Sequence, residues 1–178
     1  MKKNVTIITR FFALTVILAM MMPAISNAQG GSTNFSGTWK FNESKSQLPQ
    51  GGGGGGGMGR MGAGDFTVKQ EANLLTVSTT RQNQDGQNVT TDMKYTLDGK
   101  ETINASQRGD SKSVAKWSAD GKTLTITTSR TMDFNGETRT MNSTEVWVLT
   151  DAKTLTRTTT RPGMDGAEMK TVMVFDKQ

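Results

Sequence analysis

One phrase recurs three times in this chain and limits what it can fold into: Leu75-Thr76…Thr80-Arg81…Asp85-Gly86, Leu124-Thr125…Ser129-Arg130…Asn135-Gly136, and Leu155-Thr156…Thr160-Arg161…Asp165-Gly166. Each copy is an alternating strand that runs into an Arg and then a turn dipeptide, so one hairpin unit is written repeatedly. A body built from such units is all-β and antiparallel.

The rest of the chain extends the pattern. Strands are expected at Ser36 to Phe41, Phe66 to Gln70, Leu74 to Arg81, Val89 to Leu97, Glu101 to Ser106, Lys112 to Ser118, Lys122 to Met132, Glu137 to Thr150, Thr154 to Arg161 and Glu168 to Phe175. Asp-Gly or Asn-Gly pairs stand where these runs must reverse. After the first strand, Asn42 to Gln50 has room for a helical turn before Pro49 stops it. Seven consecutive glycines open at Gly51, and 50–64 reads as a flexible Gly-rich loop that cannot offset its own ordering entropy. No amphipathic helix lies between the strands, which excludes parallel crossovers and leaves a meander.

Alternation assigns the faces. Val89, Thr91, Met93, Tyr95 and Leu97 share one side of their strand, and Asn88, Thr90, Asp92, Lys94 and Thr96 the other. In the strand from Thr154, one face is Thr at every position while the other carries Leu155, Arg157, Thr159 and Arg161. A meander of about 8–10 such strands removes its exposed edges by closing into an up-and-down barrel, which is favoured over a sandwich. A membrane-spanning barrel is disfavoured, because its outer face must be an apolar band with aromatic girdles and here the second faces are Thr, Asn, Asp and Lys.

The N-terminus reads as an export leader. Lys2, Lys3 and Arg10 precede an apolar run from Phe11 to Ile25 that ends in Ser26-Asn27-Ala28, so residues 1–28 are expected to be cleaved and 29–178 to form one β-barrel domain. The run is too short to span a hydrocarbon core, which needs about 20 residues. Three of the 21 basic residues leave with it and none of the 16 acidic ones, so 18 − 16 leaves +2. That balance gives no ground for nucleic-acid binding. The expected product is a periplasmic or secreted monomer with no membrane span. Its 150 residues hold 41 apolar side chains against 25 Thr, enough for one lean core. Without Cys, packing alone must hold it.

Asn34-Phe35-Ser36-Gly37-Thr38-Trp39-Lys40 is similar to the opening of lipocalin-type barrels, whose first strand carries a GxW motif with the Trp plugging the closed end. Phe35 and Phe41 share the face of Trp39, and an early GxW strand, the longest loop and a hairpin-linked meander follow in the order of that superfamily. Small secreted bacterial proteins begin with a similar phrase. The resemblance implies a cup that binds a small hydrophobic or amphipathic molecule. It also implies a basic residue of the last strand stacked on the Trp, and Lys170 is the one inside the expected final strand.

Candidate lining residues are Trp39, Phe66, Tyr95, Trp117, Trp147 and Arg157. Each Trp has a plainer reading as core packing with its indole N–H bonded to a carbonyl. Arg81, Arg130 and Arg161 stand at equivalent repeat positions. If their strands run the same way they gather at one rim and can hold a carboxylate or phosphate; the plainer reading is that each Arg caps a strand where the sheet meets water. Gly57 to Gly62 matches GxGxxG in letters, but it lies within a glycine tract ahead of a strand and lacks the helix N-terminus the chemistry needs. Absence of His and Cys removes the usual general base, thiolate and zinc ligands, so neither catalysis, metal nor cofactor is expected. The alternative is a filled barrel that binds a protein or glycan at the envelope through its outer surface.

Overall fold

The computed structural model describes residues 31–48, 63–106, 109–134, 137–163 and 166–178. The leader and most of the Gly-rich loop lie outside the described residues. The strands are β1 (Gly37–Gln47), β2 (Phe66–Gln70), β3 (Leu74–Gln82), β4 (Asn88–Thr96), β5 (Glu101–Asn104), β6 (Ser111–Trp117), β7 (Thr123–Phe134), β8 (Glu137–Asp151), β9 (Thr154–Pro162) and β10 (Glu168–Lys177). They form one antiparallel sheet in the order β4-β3-β2-β1-β10-β9-β8-β7-β6-β5. Among the described residues no helix is long and apolar enough to cross a membrane.

The sheet curls until its two edge strands, β4 and β5, lie side by side, giving a nearly closed up-and-down barrel of the lipocalin-like type. The first and last strands meet, with Trp39 opposite Lys177 and Phe41 opposite Phe175. Side chains bridge the remaining seam. Asn104, 7% exposed, accepts from the Lys94 N–H at 2.8 Å and donates to the Lys94 carbonyl at 2.9 Å, standing in for a backbone unit. Thr102 Oγ1 accepts the Thr96 N–H at 3.0 Å in the same way. At the tight turns the sequence pattern has a direct cause: at Asp98-Gly99 the glycine sits at φ +78°, and the aspartate accepts the Lys100 N–H at 3.1 Å.

Two local expectations are corrected. The stretch after Phe41 is not helical, because β1 continues to Gln47 through a bulge beyond Asn42. Asn42 Oδ1 accepts from Ser44 Oγ and the Lys45 N–H, while Ser46 Oγ donates to the Asn42 carbonyl and accepts the Val174 N–H. Those side chains replace the interrupted ladder bonds, so extended chain needs no helical alternative. The last strand also runs two residues past Phe175, and the cation over Trp39 is Lys177, with Nζ 5.4 Å from the ring, not Lys170, which is exposed.

The core fills the closed end. Phe35, Trp39, Leu75, Leu124, Leu155 and Phe175 are fully buried there, and the Trp39 indole donates to the Phe35 carbonyl at 2.8 Å. Phe35 stacks parallel to Trp117 at 5.6 Å and meets Trp147 edge-on at the same distance.

Candidate functional site

Height inside the barrel is set by position in the repeat. Since β3, β7 and β9 run the same way, the inward residues of each climb from the core in four steps: Leu75, Leu124 and Leu155, then Val77, Ile126 and Arg157, then Thr79, Thr128 and Thr159, then Arg81, Arg130 and Arg161. Exposure follows the climb: the leucines are 0% exposed, Val77 is 7%, and Arg81 is exposed.

Arg157 is the exception at the second step, a cation where the other copies carry Val or Ile. Its Nη2 donates to Glu145 Oε1 at 2.6 Å, and the second carboxylate oxygen accepts the Trp147 indole N–H, also at 2.6 Å. The guanidinium lies in an aromatic cage, 4.8 Å from Trp147, 5.0 Å from Phe66 and 5.5 Å from Phe175. Burial pushes the Glu145 carboxyl up, but the Arg157 charge and the bonds from Arg157 and Trp147 outweigh that and hold it below its ordinary value. Thr159 stands opposite Glu145 in register and turns its hydroxyl toward the carboxylate without reaching hydrogen-bond geometry. Arg157 Nε is buried and has no hydrogen-bond partner among the described residues. The network is thus incomplete at Arg157 Nε.

A cavity of about 110 Å³ lies beside the network, lined by Phe66, Val77, Arg81, Tyr95, Trp147 and Arg157, among others. Tyr95 is pushed up to about 12 by burial first and by the Glu145 charge second, with Arg157 and Arg130 acting the other way. Four of the six lining candidates read from the sequence, Phe66, Tyr95, Trp147 and Arg157, therefore surround one space, and Arg81 joins them. Trp39 and Trp117 do not line it: Trp39 is buried at the closed end and Trp117 is stacked on Phe35. Arg130 and Arg161 share the top step with Arg81 but are not part of the lining. The Trp147 indole bonds a carboxylate, not the expected carbonyl.

Glu145 is the residue that sequence reasoning missed. Its signal is the combination of two observations: Arg157 breaks the apolar second step, and Glu145 lies two residues before Trp147, hence on the same inward face of the neighbouring strand. Glu145 meets Arg157 and Trp147, not a second carboxylate. No group of three or more acidic side chains positioned to hold a metal ion occurs among the described residues.

Fold and site together define the class, an antiparallel lipocalin-like barrel with a small polar-and-aromatic cavity above an apolar plug. The chain is similar in structure to the fluorescent protein UnaG, with 19% identity, a TM-score of 0.51, and coverage of 81% of this chain and 97% of that one. Two asparagine variants of UnaG match at 19% identity with TM-scores of 0.51 and 0.50, covering 81% and 80% of this chain and 96% and 95% of theirs. At this identity the likeness carries the fold alone. No protein-family model matches the chain, and no curated protein matches it in sequence.

Proposed function

We propose that this protein is an exported lipocalin-like barrel that binds a small hydrophobic or amphipathic ligand without transforming it. The observation that carries the reading is a cavity of about 110 Å³ inside the barrel, walled by Phe66, Tyr95 and Trp147 and bordered by Arg157. Small exported bacterial barrels with a similar opening phrase fit the reading, as does the leader, which directs the chain to the periplasm or beyond. The non-catalytic part of the reading is supported by Glu145, which is committed to Arg157 and Trp147 and held below its ordinary value, as suits a counter-ion more than a general base.

The cavity volume favours a ligand that enters only in part. About 110 Å³ is roughly a third of the 300 Å³ at which ordinary ligand sites begin, so an aromatic or short-chain end sits inside and the rest remains in the mouth. The same number supports the second reading, a filled barrel acting as a protein- or glycan-binding module. Trp147 lines the cavity, so its emission distinguishes the two. A saturable change with fatty acids, isoprenoids or haem supports the binding role, while an empty ligand panel together with ligand-free native mass spectra of freshly exported protein refutes it.

A further inference from the structure

We infer that the cavity takes a one-ring aromatic carboxylic acid, its ring held among Phe66, Tyr95 and Trp147 and its carboxylate turned outward onto Arg81. The inference rests on the ligand-binding reading and adds to it the class of ligand, the end that enters first and the residue that selects it.

Charge, size and the gradient along one strand agree on that class. Arg81 and Arg157 are the charged side chains of the lining, and no acidic residue joins them. Arg157 is paired with Glu145 at 2.6 Å, whereas Arg81 makes no ion pair among the described residues. Tyr95, pushed up to about 12, adds no negative charge at neutral pH. The cavity therefore carries one surplus positive charge, which a monoanion cancels and a neutral or cationic molecule leaves in place. Its volume of about 110 Å³ is on the scale of the roughly 150 Å³ in which a dry apolar cavity takes up one benzene, so a single ring entering from the mouth fits and a folded alkyl chain does not. Phe66 on β2 and Trp147 on β8 meet with centroids 5.9 Å apart and planes at 58°, and Tyr95 adds a third ring from β4. An entering ring thus finds aromatic faces and edges, whose contacts contribute beyond the area they cover.

On the inward face of β3, Val77, Thr79 and Arg81 line the same cavity in order of height: an apolar side chain, a hydroxyl, then a cation. Exposure rises along them, from 7% at Val77 to an exposed Arg81. A ligand that matches this gradient puts its ring low and its charge high, where a carboxylate keeps part of its hydration and is least costly to bury. One guanidinium fork donates paired N–H bonds to the two oxygens of one carboxylate. A phosphate monoester brings about 1.5 to 2 negative charges against the single free cation, so the carboxylate is the closer match.

The test measures four compounds by calorimetry: 3-phenylpropanoate, 3-phenylpropan-1-ol and 3-phenylpropan-1-amine, which share one ring and spacer, and hexanoate, which keeps the carboxylate without the ring. In the natural protein 3-phenylpropanoate is expected to bind at least about tenfold more tightly than the alcohol or hexanoate, with the amine weakest. In Arg81→Gln the ratio of acid to alcohol falls to about one. Arg81→Lys keeps the charge but loses the fork and leaves the ratio at about threefold. Both changes fall on an exposed residue near the end of β3, away from the plug that holds the fold. Lys170→Gln removes the same charge from an exposed position opposite Thr160 and leaves the ratio unchanged. Intermolecular nuclear Overhauser effects from the ring protons to the methyl groups of Val77 and Met93 place the ring in the cavity. The inference is overturned when acid and alcohol bind equally, when hexanoate matches 3-phenylpropanoate, when the preference survives Arg81→Gln, or when the ring contacts exposed residues alone. If none of the four binds while dodecanoate or haem still changes Trp emission saturably, the inference falls and the ligand-binding reading stands. If nothing binds, both fall.

Discussion

Arg157→Met should destabilise the protein by about 3 kcal/mol at neutral pH, and the cause should be the carboxylate left behind. Removing one partner of a buried ion pair costs about 3–5 kcal/mol. The lower end applies because the Arg157 and Glu145 side chains retain 12% and 24% of their exposure, so water reaches the stranded charge. The sign of the pH dependence follows from the direction of the shift. In the natural protein Glu145 titrates below its unfolded value, so the pair stabilises above the ordinary carboxylate range, near pH 4.3, and the contribution fades as pH falls through the folded value. In Arg157→Met burial is unopposed by the cation and the folded pKa rises above the unfolded one, so acid relieves the variant. The gap between the two proteins should therefore narrow from about 3 kcal/mol at pH 7 to under about 1 kcal/mol near pH 4. Arg157→Met/Glu145→Gln removes both charges while keeping an acceptor for the Trp147 indole, and should recover most of the loss at pH 7. Urea unfolding followed by Trp emission, on the natural protein, Arg157→Met, Glu145→Gln and the double variant, measures all four corners of the cycle. A gap that is the same at both pH values, or a double variant no better than Arg157→Met, would refute the assignment of the cost to a stranded charge.

Three further outcomes follow from single contacts. Asn104→Ala should cost about 2 kcal/mol by stranding the Lys94 N–H and carbonyl, and should speed amide exchange at Lys94; unchanged exchange there would mean the seam is held by something else. Gly37→Ala should cost about 1–3 kcal/mol, since Gly37 sits at φ +140° and an added Cβ would lie 2.6 Å from Lys177 Cε. Because Lys177 is flexible, Gly37→Ala/Lys177→Ala should return only the steric part, and full recovery would show that backbone strain is absent. The chain has one Tyr, so ultraviolet titration reads Tyr95 alone: ionisation is expected at about pH 12, stability should decline between pH 10 and 12 as the unfolded state alone releases the proton, and a transition near 10 would place the ring in water.

Strand positions were legible because a period of two with Asp-Gly punctuation is a local signal. Phe66–Gln70 matches the expected range, and most other strand ends fall within one or two residues. What was illegible depended on partners distant in sequence. Nothing local tells that Asn42 and Ser46 will bond β10 and carry β1 past the bulge, or that Lys177, at the very end of the chain, will lie over Trp39. The cavity lining was read from aromatic residues on inward faces, and it separates from the plug only once register sets their heights. Trp39 and Trp117 have the same composition signal as Trp147, but they sit against Phe35, where no space remains.

The threefold repeat explains why the interior divides as it does. In two copies the inward positions read Leu, then Val or Ile, then Thr, then Arg, so polarity rises with height, and the copies pointing the same way sum to a dry floor and a polar mouth. Such an interior closes at the bottom by apolar burial alone and needs no charge there. A single departure, Arg157 in the second step, costs desolvation that the fold offsets with Glu145 on the next strand and three rings around the guanidinium. Neither compensation is required for a barrel to form, because Val77 and Ile126 fill the same step in the other copies without any. The pair is thus a device that the architecture does not need, set beside the cavity. The top step, by contrast, is Arg in all three copies, so the repeat departs from its own pattern only at Arg157.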